Sequence, residues 1–109
     1  MGLLKRRTVD APTDAPYGVD NVVCITDATP RDRVAVRGQV TRMRARPTSG
    51  MPALVITITD ATGTVTAVWT GRRSIGGITL GRSIMIEGVA VLRGTSLEFT
   101  NPAYTLLAR

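Results

Sequence analysis

The chain has no histidine and only one cysteine in 109 residues. Without histidine it lacks the commonest general base, the commonest metal ligand, and the base of every Ser-His or Cys-His nucleophile. The lone Cys24 cannot close an internal disulfide, and its apolar setting in "NVVCIT" reads as a small buried hydrophobe. Aromatic residues make up 4% of the chain, so a broad face of stacked rings cannot be built. No apolar run approaches the roughly 20 residues of a membrane-spanning helix. The opening "MGLLKRRTVD" lacks the apolar stretch of a secretion signal, which makes the cytoplasm the expected location, with no membrane partner. No GxxxxGK[ST] phosphate loop occurs, which removes ATP-driven chemistry.

Acidic residues are scarce in one part of the chain only. Residues 33 to 109 carry ten arginines against Asp60, Glu87 and Glu98, a balance of +7, whereas residues 1 to 32 balance at −1. Lys5 is the only lysine. A GC-rich coding bias also favours arginine, but it does not explain the shortage of acids after residue 33. The planar guanidinium binds phosphate with two parallel hydrogen bonds and stacks on bases, which an ammonium cannot do. The three late acids form no cluster with a cysteine or histidine, so neither a metal nor a cofactor is expected, and the chain is not expected to be an enzyme.

Hydrophobic residues, at 43%, suffice for one small core. Residues 1–20 mix Asp, Pro and Gly without periodicity and read as a mobile or loosely docked tail; residues 21–109 read as the folded domain. From Arg33 the pattern alternates. Val34, Val36 and Val40 share one face of a first strand, with Arg33, Arg37 and Gln39 on the other. Leu54, Ile56 and Ile58 mark a second strand; Val65, Ala67 and Trp69 a third; Ile84 and Ile86 a fourth; Leu97 and Phe99 a fifth. "RPTSGMP" reads as a hairpin loop, and "ATGT" as a tight turn in which Gly63 is free to take positive φ. "GRRSIGGITLG" is too rich in glycine for a full helix. Glycines inside strands one and four let long strands coil into both halves of a closed sheet. The expectation is an all-β fold: a five-stranded Greek-key OB-fold barrel with a short Gly-rich connector in place of a full helix. An SH3-like barrel is the alternative.

Four elements occur in order: Gly38 after alternating valines, the Asp60-Ala-Thr-Gly63 turn, Gly81 opening strand four, and Asn101-Pro102-x-Tyr104. Over residues 25 to 107 this set resembles the nucleic-acid-binding OB domains of the tRNA-anticodon-like superfamily. It is similar to the wedge domain of RecG-type DNA helicases and to small stand-alone actinobacterial OB-fold proteins. The resemblance implies DNA or RNA as partner, with single-stranded DNA the first choice, bound without catalysis and with little sequence selectivity. A protein partner or a homodimer, through the barrel face or a sheet edge, is the rival.

The residues that fit such a role are mostly arginines. Arg42, Arg44 and Arg46 alternate at the end of strand one and into its loop. Strand positions two apart lie about 6.8 Å apart, close to the phosphate repeat of an extended single strand. Arg37 and Gln39 precede them, Arg72 and Arg73 sit on the glycine-flanked connector, and Arg93 lies by the turn between strands four and five. Trp69 either plugs the barrel or offers a stacking surface. Its alternation with Val65 and Ala67 favours the plug.

Overall fold

Val34, Val36 and Val40 turn inward together, and the long strand that carries them joins both halves of the molecule. A computed structural model describes residues 22–46 and 50–108; the tail expected over residues 1–20 lies outside them. Six strands are present: β1 (Arg33–Arg46), β2 (Ala53–Thr59), β3 (Thr64–Thr70), β4 (Ser83–Arg93), β5 (Ser96–Thr100) and β6 (Ala103–Leu106). Five of them close a ring, β1-β2-β3-β5-β4 and back to β1. All ring pairings are antiparallel except β3–β5. This is the expected barrel. β6 is an addition: it pairs with β4, and at four residues its alternation is too short to read from sequence.

β1 changes partner midway. Arg33 to Gln39 pair with β4 and Gln39 to Arg46 with β2, so Gln39 faces both Ser83 and Thr59. At Gly38 a Cβ would stand 2.5 Å from the Thr59 carbonyl oxygen, so only glycine lets the strands meet there. The β1–β2 register then shifts between Val40 and Arg42, leaving Thr41 as an extra residue. One extra residue reverses the phase of alternation. Val40 is buried and Met43 packs on the core, while Arg42, Arg44 and Arg46 are exposed.

The core is Phe99 with the inward rows of the ring, including Leu54, Ile56, Ile58, Val65, Ile84 and Ile86. Residues 71–82 form no helix; Ile75 and Ile78 fill its place against the core. Glu87 is buried on the outer side of β4 and pairs with Arg33 (Nε–Oε2 3.3 Å). Burial pushes its carboxyl above the ordinary glutamate value, against the charge and hydrogen bond of Arg33.

Two local expectations change. Cys24 is exposed, because the short 3-10 turn Ile25–Asp27 gives the inward place to Ile25. Gly63 does not take positive φ. Its turn is fixed by Asp60, whose Oδ1 accepts from the backbone N–H of Thr62 (2.7 Å) and of Gly63 (3.0 Å) and from the Thr62 hydroxyl (2.6 Å). Space at Gly63 is tight: a Cβ would press on Ile25 Cγ2 at 3.3 Å.

Asp60 Oδ2 also accepts from the Ile25 N–H at 2.9 Å, so one carboxylate staples the N-terminal segment to the β2–β3 turn. Burial pushes this carboxyl up, but the Thr62 hydroxyl and the N–H groups of Ile25, Thr62 and Gly63 together hold it below the ordinary aspartate value. A depressed pKa gives stability that is present above the unfolded value, near pH 4, and lost as pH falls through the folded value. Asp60→Ala is expected to cost about 2–3 kcal/mol at neutral pH, since charged hydrogen bonds are removed. Denaturant melts from pH 7 to 3 check this: the variant curve should flatten below pH ~4 relative to the parent.

Candidate functional site

Directly opposed residues of paired strands share a face, so the register maps the outer surface. Across β1, β2 and β3 the rows are Arg46–Ala53–Thr70, Arg44–Val55–Val68 and Arg42–Thr57–Thr66. Ala53, Val55 and Val68 are buried as a small apolar cluster of their own on this side. The result is a line of three exposed arginines beside a floor of small and hydroxyl-bearing residues. Thr100 and Glu98 of β5 continue the floor beyond β3.

Toward the β2–β3 turn the floor becomes hydroxylic. Thr41 and Thr59 hydroxyls are 3.0 Å apart, and Thr59 and Thr64 hydroxyls 3.2 Å apart. Beyond Thr41, on the same outer side of β1, come Gln39 and Arg37. Both line a groove of about 700 Å³, with Ser83, Thr59 and residues of the segments at the two ends of the fold.

The arginines and other candidates from the sequence therefore divide. Arg42, Arg44 and Arg46 form one row, with Arg46 the last residue of β1 rather than part of the loop. Arg72 and Arg73 are exposed and leave the sheet just past Thr70, at the end where Ala53 pairs with Arg46. That exit is fixed by the Gly71 N–H on the Pro52 carbonyl (2.7 Å). Arg37 and Gln39 belong to the groove. Arg93 stands apart on the β4–β5 hairpin, with its Nε 3.5 Å from Glu98 Oε2.

Trp69 is inside, at 6% exposure, so it takes the plug role and offers no stacking face. The closing "NPAY" explains why. Asn101 Oδ1 accepts from the Thr70 N–H (3.0 Å), the Pro102 carbonyl accepts from the indole Nε1 (3.1 Å), and the Tyr104 ring stands edge-on to Trp69 at 5.8 Å. Trp69 is thus held on both sides by the segment that follows β5. The hydroxyl residues Thr41, Thr57, Thr59, Thr66 and Ser83 do not stand out in the sequence as site residues; the alternating threonines of "ITIT" and "TVTAVWT" signal Thr57, Thr59 and Thr66, and nothing local signals Thr41 or Ser83.

Among the described residues no group of three or more His, Cys, Asp or Glu is placed to hold a metal ion. Among them, too, no helix is long and apolar enough to cross a membrane. The family model of the OB-fold nucleic acid binding domain, tRNA anti-codon type, matches residues 34–107. The chain belongs to this OB-fold nucleic-acid-binding family. No curated protein matches it. In an OB-fold the outer face of strands two and three, with the loops after strands one and four, is the surface that meets oligonucleotides. Here the outer face of β2 and β3 is edged by Arg42, Arg44 and Arg46.

The position of Trp69 is checked by its fluorescence. A neutral quencher should reach it poorly, and saturating oligonucleotide should leave its emission unchanged. Strong quenching by the ligand would put the indole on the binding surface.

Proposed function

We propose that this OB-fold domain binds single-stranded DNA without catalysis, capturing the phosphate backbone on an arginine-edged outer face with little sequence selectivity. The observation that carries the reading is the arginine row of β1 beside the threonine-rich floor of β2 and β3. Arginine forks reach phosphates, and an OB-fold groove tracks a single strand in this way. Arg72 and Arg73 extend the positive edge, and Arg93 contributes from the opposite hairpin. With Trp69 and Phe99 buried, few rings are left to stack on bases, so electrostatic attraction dominates. Structured DNA and RNA come second as ligands, and the cytoplasm is the proposed site of action.

Fluorescence anisotropy of labelled single-stranded DNA, duplex DNA and RNA across a salt series tests the reading. Affinity for the single strand should be highest and should fall steeply with salt. Removing one arginine that pairs with a phosphate should reduce the log–log salt slope by about 0.7, so Arg42→Ala/Arg44→Ala flattens it by about 1.4. No binding to any of the three at low salt would overturn the proposal.

One observation favours a second reading. Val89 and Val91, on the outer face of β4, are 48% and 43% exposed, an apolar strip that a protein partner would cover. Under that reading, charged substitutions on the strip abolish association and the arginine variants do not.

A further inference from the structure

The groove of about 700 Å³ beside Arg37 and Gln39 is lined by two unlike sets of residues. One is polar: Arg37, Gln39, Thr41, Thr59 and Ser83. The other is apolar, made by Val22, Val23 and Leu107. Its size falls within the range of small-ligand sites. A nucleotide has the same two halves, a phosphate that suits a guanidinium and a flat ring that suits aliphatic side chains. Asp60 also lines the groove, but its carboxylate already accepts four hydrogen bonds within the β2–β3 turn and the N-terminal segment.

Position gives the groove its meaning. Arg37 and Gln39 lie on the same outer side of β1 as the arginine row, with the Thr41 bulge between them. A strand laid on Arg46, Arg44 and Arg42 is therefore led toward the groove. It cannot continue past it. The outer face is covered there: Ala35 is buried with Met85 and Leu107, and Val22, which bridges Ala35 along the edge of β1, packs on them. Ala35 is two residues before Arg37, so the open face of β1 stops at the groove.

The geometry points to this groove as an end site: it takes the terminal nucleotide of a bound strand, with the terminal phosphate on Arg37. The inference rests on the single-strand reading for the rest of the path. A terminal phosphate carries about −1.5 to −2 charge at pH 7, more than an internal phosphodiester, which strengthens its hold on a guanidinium. The shared chemistry is a phosphorylated nucleoside, at a strand end or free.

Cys24 supplies the readout, because it is exposed, lines the groove and is the only cysteine of the chain. The full chain is labelled with a maleimide in the presence of oligothymidylate bearing a 5′-phosphate, a 3′-phosphate or neither, and of thymidine monophosphate. Anisotropy is read in the same solutions. An end-phosphorylated strand at about ten times its Kd should slow Cys24 labelling about tenfold, and the strand without a terminal phosphate should protect less. Arg37→Gln and Gln39→Ala, each checked for an unchanged melt, should lose the protection while anisotropy still reports binding through Arg42 and Arg44. Protection by thymidine monophosphate with no strand binding would uphold the groove and sink the single-strand path. Saturated strand binding with unchanged labelling would overturn the end site and leave the path standing. No protection by any probe would also overturn it.

Discussion

The structure depends on one strand that belongs to two halves of a closed sheet. β1 can pair with β4 and then with β2 only because Gly38 leaves room for the Thr59 carbonyl at the crossing. Its second device is the extra residue at Thr41. Counted from Val40 by twos, Arg42, Arg44 and Arg46 would point into the core. Three buried unpaired guanidiniums would be far too costly for so small a domain. The bulge turns them outward and brings Met43 in instead. Gly38 thus closes the barrel, and the bulge three residues on makes the charged edge.

Closure at the ends is done by polar clips rather than by a helix. Asp60 holds the N-terminal segment against one end with Oδ2 while its Oδ1 fixes the β2–β3 turn. Asn101 and Pro102 hold Thr70 and Trp69 at the other. Ile75 and Ile78 fill the space that a connecting helix would occupy. These solutions have a functional consequence. The largest aromatic is consumed in closing the barrel, so the outer face is left with arginines, threonines and small residues. Such a surface attracts a phosphate backbone and has few means to read bases.

Much of this is legible in the sequence. The inward rows of β2 to β5 and of β1 as far as Val40 follow from period-two alternation, and Leu97 and Phe99 fall on the core side as their alternation predicts. The Gly-rich connector is legible because glycine disfavours helix. β6 is not, since a four-residue strand after Pro102 carries no measurable period. The burial expected for Cys24 fails because an apolar neighbourhood says nothing of which residue a 3-10 turn points inward. Gly63 fits for a different reason than its turn suggests: it sits close against Ile25, and the turn is shaped by Asp60. The arginines stand out as a set, but their common face requires the bulge, which only the register reveals. The groove draws on segments about 85 residues apart, Val22 and Leu107 among them, and no local pattern joins them.

Backbone amide shift mapping with a short single-stranded oligonucleotide at low salt tests the central claim most directly. The account predicts that the perturbed amides trace one path, from Arg72 and Arg73 along Arg46, Arg44 and Arg42 with Thr57 and Thr66 beside them. The same shifts should fade as salt is raised. Perturbations centred on Val89 and Val91, or none at all, would contradict it.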